Sequence, residues 1–426
     1  MINLFGAIGL SESDRLFNGT IGQRVIYEAT QEWIDLYNLD LVAATEIFVN
    51  GRTDKAKERY RLPGGGMMQR RGRSALPGAV KAGGYWDVGY PLIDFGDVLA
   101  TDDITYAYMT TAEYSLHLQN ISNRDVNTYR FEMLRAMFNN LPYVFQDETL
   151  GAVNVQSLAN GDATLYPPVL GSAVESTASL FGVAGYAPSL ISDVNNPIKP
   201  MVAALQARFG TPTGGSNIAI FINNSERAAI SALTDFVRIQ YRFVQPGVNT
   251  ATVIVPGVDE RLLKSSWEVI GTCSGAVICQ WAFITPGYLM AVHMDAPPPL
   301  VERIDPINTG LGAGLQLVMK DQDLIFQTAF WRHRYGIAVQ NRLNGYLMQI
   351  VAPPTMGASA IQNATALTVN AIPQALPTGT VFNFAGVTAT LTAPAATGAV
   401  SLVVAPIANA IANGVLAGYG VPTIYQ

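Results

Sequence analysis

Apolar and polar positions along this chain change period several times, and the changes divide it into four zones. In "IGQRVIYEATQEWIDLYNL", Val25, Ile26, Ala29, Trp33, Ile34 and Tyr37 recur at helical spacing, which predicts a helix closing a polar N-terminal arm. From Phe48 to about Thr101 no helical or strand period persists, and Gly and Pro are interleaved with charge. Such a stretch predicts either disorder or an extended arm that gains order against a neighbour. Roughly 102–352 then reads as a folded α+β body. "DITYAYM" alternates like a strand. A helix within Thr111–Asn140 follows, with Val126, Tyr129, Met133, Met137 and Leu141 on one stripe and Ser122 and Asp125 spaced as a capping box.

Within that body "NPIKPMVAALQARFG" predicts a short helix stopped by Gly210. It leads to a strand "IAIFI" and a helix start in "NNSERAAISAL", with Asn224 or Ser225 as its cap. Strands are expected in "ATVIVPG", "WEVIGT", "AVICQWAFI" and "GYLMAVHM", and two more in "FQTAFWRHRYGIAVQNRLNGYLMQI". The tail contains a repeat. Leu367, Val369, Ile372, Ala375, Leu376 and Gly379 match Leu402, Val404, Ile407, Ala410, Ile411 and Gly414, each 35 residues on (402 − 367 = 35). Two alternating units rich in Thr, Val, Ala and Phe predict a small β-module with internal pseudo-symmetry.

Charge changes the picture. The 426 residues hold 14% charged side chains and a net charge of −6, and nothing after Arg342 is charged. A dedicated nucleic-acid binder would carry a clustered basic excess. A charge-poor surface tends to be covered by other protein, so interaction is the first expectation. The one basic concentration is Arg52–Arg73, with eight Lys or Arg against two acids; contact with protein is favoured over contact with phosphate. "MINLFGAIGLSESDR" lacks the basic start of a secretory leader, and "GAVSLVVAPIANAIANGVLAGYG" is broken by Pro406, Asn409 and Asn413 without basic flanks, so no membrane span is expected. Cys273 and Cys279 would share one face of a strand, too far apart to bridge.

The search for chemistry finds no site. His117, His293 and His333 belong to no ligand pattern, and the arginines flanking His333 would oppose its protonation. "LPGGGMM" and "GTPTGGSN" lack the ending of a phosphate loop, and Ser274 is not in a nucleophile elbow. The acid pairs Asp102–Asp103 and Asp321, Asp323 suit turns better than metal. No enzyme is expected, and no residue is singled out as catalytic, cofactor-binding or metal-binding.

The order of these pieces resembles the HK97-type major capsid protein of tailed bacteriophages. The arm and basic loop stand where that family has its extended loop, and the helix within 111–140 where it has its spine helix. "NPIKPMVAALQARFGTPTGGSNIAIFINNSERAAISAL" is similar to the axial domain, and "FWRHRYGIAVQNRLNGYLMQI" to the returning strands. The resemblance implies an N-terminal arm at 1–47, an extended loop at 48–101, a peripheral domain with the spine helix at 102–170 and an axial domain at 171–325. Peripheral return strands at 326–354 and an appended β-module at 355–426 complete it. "ALPTGTVFNFAG" is similar to modules on phage head and decoration proteins.

The resemblance further implies hexamers and pentamers of an icosahedral shell enclosing double-stranded DNA without sequence-specific binding. The protein would assemble in the host cytoplasm and reside in the virion. Its partners would be itself, portal, scaffolding and decoration or cement proteins, with no membrane. Arg52, Arg59, Arg61, Arg70, Arg71 and Arg73 are expected to contact a neighbouring subunit. The uncharged module is expected to project from the peripheral domain and cement capsomers. Alternatives are an encapsulin-like compartment shell, or a tail or adhesin protein with a β binding module.

Overall fold

Helix α1 spans Gln23–Thr45, longer than expected. Leu41 and Thr45 prolong the buried face begun by Ile26, Thr30 and Ile34, so nothing ends the helix at Leu39. The structure, a computed structural model, describes residues 23–61, 85–102, 109–139, 142–148, 150–158, 181–186, 188–209, 217–238, 262, 267–319, 326–350, 354–372, 376, 378–384, 386–415 and 417–419. Strands β1 (Val49–Thr53), β2 (Lys57–Arg61), β3 (Tyr85–Gly89) and β4 (Ile93–Asp102) follow α1. They correct the expectation that the arm region lacks regular strands. Their alternation is hidden because β4 turns Asp97 inward and Val98 outward, and because β1 takes its partner from far along the chain.

Helix α2 spans Thr111–Phe138, and its capping box is made by Thr110 and Glu113. The pair read from sequence, Ser122 and Asp125, lies inside the helix and is buried. Tyr129, Met133 and Met137 form the buried stripe as expected. A hairpin of β5 (Tyr143–Asp147) and β6 (Gly151–Val155) comes next, then β7 (Phe181–Val183), α3 (Ile198–Phe209) and β8 (Ile218–Ile222). The short helix α4 (Arg227–Ser231) has Glu226 at its N-cap without a side-chain cap bond. Neither Asn224 nor Ser225 caps it; Asn223 Oδ1 instead accepts from the Ser225 N–H and hydroxyl, an Asx turn one step earlier.

Strands β9 (Phe236–Arg238), β10 (Glu268–Cys273), β11 (Ala276–Gln280) and β12 (Tyr288–His293) follow, with β13 (Leu300–Arg303), β14 (Leu315–Met319), β15 (Phe326–Val339) and β16 (Tyr346–Gln349). Ser274 and Gly275, both at positive φ, turn β10 into β11. Cys273 and Cys279 therefore sit on two adjacent strands, both buried and free, rather than on one. The expected strands at 103–108 and in "ATVIVPG", together with Gly210 and Leu141, lie outside the described residues.

Two sheets organise the body. One runs β1-β13-β15-β14 with β4 on β15, and the other β7-β16-β12-β8-β11-β10-β9. In the second sheet β8 is buried on both faces: Ala219 and Phe221 point into the core shared with α2, and Ile218, Ile220 and Ile222 into the core beneath α3. That explains a continuous apolar run rather than an alternating one. The two returning strands part company, β15 joining the five-stranded sheet and β16 the seven-stranded one.

The tail forms β17 (Ala366–Thr368), β18 (Val381–Phe384), β19 (Val387–Thr390), β20 (Ser401–Val403) and β21 (Ala417–Tyr419). Matched positions pair with each other: Leu367 opposes Leu402, and Asn383 opposes Gly418. Away from these pairs the contacts exchange under the 35-residue shift, as the bridge Ala360–Ile411 does with Leu376–Ala395. An approximate twofold axis thus relates the repeats, and Leu367, Val369, Ile372 and Leu376 share one core with Leu402, Val404, Ile407 and Ile411. The module follows β16, and Val183 of β7 packs against it, so it adjoins the seven-stranded sheet.

Because the core is shared, Leu367→Ala and Leu402→Ala should each cost about 2–5 kcal/mol. Hydrogen exchange should show protection lost across both repeats for either variant; loss confined to the altered repeat would contradict the shared core.

Candidate functional site: the arm and the charged seam at its root

The arm leaves the body immediately after Phe48, which is fully buried. Its ring stands 5.0 Å from Phe221 and 5.8 Å from both Trp267 and Trp281, an aromatic cluster that anchors the base of the arm. Strand β1 then lies parallel to β13, with Arg52 opposite Glu302. The Tyr90 N–H donates to the Ala56 carbonyl, and beyond that bond β2 and β3 form a two-stranded ladder from Lys57–Gly89 to Arg61–Tyr85. Gly89 is required there: a Cβ would overlap Val153 and the Asn154 backbone of β6.

Charge on the ladder is internally matched. Arg59 grips Asp87 with two bonds of 2.6 and 2.8 Å, and Lys57 reaches the same carboxylate at 3.6 Å. The Arg59 bonds hold the Asp87 carboxyl below its usual range. Arg59 is exposed, so this pair orders the ladder more than it stabilises the fold. Arg52 is also engaged within its own chain, at 3.3 Å from Glu302. The side chain of Arg61, and all of Arg70, Arg71 and Arg73, lie outside the described residues.

Beneath the arm runs a seam of buried charge that sequence reading missed. Glu302, 2% exposed, accepts from Arg52 and from the Tyr129 hydroxyl of α2. The next residue, Arg303, pairs with Asp147 of β5 at 2.6 Å and donates to the Tyr90 carbonyl at 2.7 Å. Arg334 of β15 joins Asp305 and Glu148 at 3.4 and 3.3 Å. Strand alternation sends neighbouring charges to opposite faces, so one short strand ties the arm, α2 and the β5–β6 hairpin together. Buried pairs of this kind add little net stability but fix register. The acid and base positions are visible in the sequence; their pairing is not, because partners lie 156 residues apart (303 − 147 = 156).

The same alternation corrects the reading of His333. Its flanking arginines face away, Arg332 toward Gln316 and Arg334 toward Asp305, while the ring points inward to Asp125 at 2.8 Å. Asp125 also accepts from the Tyr37 hydroxyl of α1 at 2.7 Å. Burial first, then Asp125, pushes the Tyr37 hydroxyl well above its ordinary range, so it remains a donor. The triad joins α1, α2 and β15 and is structural in character. His293 is buried in β12 with both ring nitrogens unbonded among the described residues, and its ring packs 5.2 Å from Phe209. Burial lowers its pKa below the ordinary 6.5, against a smaller opposing pull from Asp295.

Between α1 and α2 lies a groove of about 920 Å³, with Trp267 and Trp281 among its lining residues. Among the described residues no cluster of three metal-ligating side chains forms, and no helix is long and apolar enough to cross a membrane.

No family model and no curated protein matches the chain. Solved structures do. A chain from Mycobacterium phage Patience aligns with a TM-score of 0.55 at 19% identity, over 80% of this chain and 92% of that one. The bacteriophage PhiM1 mature capsid aligns at 0.40 and 9% identity, over 71% of this chain and 85% of its own. The capsid of a native GTA particle aligns at 0.42 and 11% identity, over 73% and 91%. The first of these establishes the fold, an α+β fold shared with the Mycobacterium phage Patience chain.

Two outcomes are expected. Asp147→Asn leaves Arg303 buried without its counter-charge and should lower stability by about 3–5 kcal/mol. Pairing it with Arg303→Met should recover at least half of that loss in denaturant titrations. For His293, the folded state disfavours the proton, so its contribution is complete above pH 6.5 and is lost as pH falls below that value. Stability measured from pH 7.5 to 5 should fall less steeply in His293→Phe than in the parent, by up to ~1.4 kcal/mol per pH unit.

Proposed function

We propose that the chain is the major capsid protein of a tailed bacteriophage, assembling as hexamers and pentamers into an icosahedral shell around double-stranded DNA. The observation that carries this reading is the fold shared with the Mycobacterium phage Patience chain across 92% of that chain's length. Physical features agree with it. A shell subunit buries much of its surface against copies of itself, and this chain exposes Leu39, Val98, Leu116 and Phe131 while carrying only 14% charged residues. Its net charge of −6 suits a container wall that does not trap its cargo.

In this reading the protein resides in the virion, is built in the host cytoplasm, and works with portal, scaffolding and decoration proteins. The arm ladder reaches a neighbouring subunit. Because Arg52 and Arg59 are matched within their own chain, the contact falls to Arg61, Arg70, Arg71 and Arg73. The module at 355–426 cements capsomers: burying a surface without ions costs no ion desolvation.

Electron microscopy of the expressed protein, alone and with its genomic neighbours, tests the reading. Capsomers or closed shells are expected, and a monomer under every condition would overturn it. Deleting 355–426 should leave capsomers forming while shells rupture at lower temperature; unchanged shell stability would remove the cement role.

A further inference from the structure

We infer that Asn50, at the root of the arm, is a site of spontaneous deamidation, converting with time to aspartate and isoaspartate. The inference goes beyond the capsid reading and does not depend on it.

An Asn–Gly pair cyclises readily, because glycine has no Cβ to shield its nitrogen from the preceding side chain. The Gly51 nitrogen attacks Cγ of Asn50, and the new Cγ–N bond closes a succinimide. The side-chain nitrogen departs as ammonia, taking the proton that Gly51 loses. Water then opens the ring at either of its carbonyls. One opening leaves aspartate; the other routes the main chain through the side chain as isoaspartate.

The described Asn–Gly pairs differ in how open they are to that attack. Asn344 is fully buried, and its amide is held by the His293 N–H and carbonyl and by the Pro297 carbonyl, at 2.8–3.0 Å. At Asn413 the nucleophile is engaged, since the Gly414 N–H donates to the Met356 carbonyl at 2.9 Å. Asn50 is placed differently. Both Asn50 and Gly51 are exposed, and the Asn50 amide is tied by an exposed bond of 3.0 Å to Gln340. The register slips here: Val49 opposes Leu300 and Arg52 opposes Glu302, so Asn50 and Gly51 together face Val301. Such a bulge leaves a residue out of the ladder. Gly51 stands at a φ of 99°, with open space where a Cβ would point. The pairs Asn18–Gly19 and Asn160–Gly161 lie outside the described residues. Isoaspartate at Asn50 would add a methylene to the main chain between Val49 and Arg52. It would thus work against the pairing of Arg52 with Glu302 that fixes the register of the arm.

The purified full chain, aged in mildly alkaline buffer, tests the site by peptide mass mapping and by labelling with an isoaspartyl methyltransferase. The Asn50 peptide should gain the mass of an amide-to-carboxyl exchange and take up methyl label. Its conversion should run about fivefold or more faster than that of Asn413, where a hydrogen bond must open first. Asn344 should stay unchanged while the chain is folded. An intact Asn50, or one modified no faster than Asn344 or Asn413, would overturn the inference. Asn50→Gln keeps an amide for Gln340 but must close a larger ring, so label at this peptide should be lost. On ageing, amide exchange in β1 should quicken in the parent and stay constant in Asn50→Gln; equal exchange in the two would overturn the effect on the root of the arm.

Discussion

The burial of Phe48 and its aromatic neighbours is the constraint on which the rest of the molecule depends. Phe48 stands where α1 ends and the arm begins, and it packs on Phe221, Trp267 and Trp281 of the seven-stranded sheet and its flanks. The same core takes in Tyr129, Met133 and Met137 from α2 and Tyr335, Ile337 and Val339 from β15. One apolar cluster therefore joins the long helix, both sheets and the root of the arm. Because interiors are close-packed, a displacement at any of these elements is felt by the others.

Charge is used sparingly and in a particular place. The buried pair Arg303–Asp147 and the half-buried pair Arg52–Glu302 lie where the arm, α2 and a hairpin meet. Apolar contacts there would hold equally well but would tolerate sliding; hydrogen-bonded ions do not. Close backbone approaches serve the same end, since a side chain at Gly89 or Gly336 would strike β6 or the carbonyl of Pro91. The arm is thus set rigidly at its root.

The tail solves a different problem. Without charges it has no ions to arrange, and its specificity comes from symmetry: each repeat pairs its strands with those of its counterpart around an approximate twofold axis. Neither repeat owns a core of its own, because the buried positions of both converge on one cluster. Covering a surface of this composition with protein costs no ion desolvation.

Sequence alone determined the local and the periodic. The helix at 111–138, the short helix before Gly210, the strand "IAIFI" and the 35-residue repeat were all legible, because each is written in the spacing of neighbouring residues. The arm strands were not, since β1 and β4 are strands by virtue of partners more than 200 residues away. Nor were the roles of Asp125 and His333, for a carboxylate spaced as a helix cap and an imidazole set between arginines meet only when α2 packs on β15. The charged seam and the groove belong to the same class. Pairing across long separations depends on which faces the collapsed core turns toward one another, and only tertiary structure decides that.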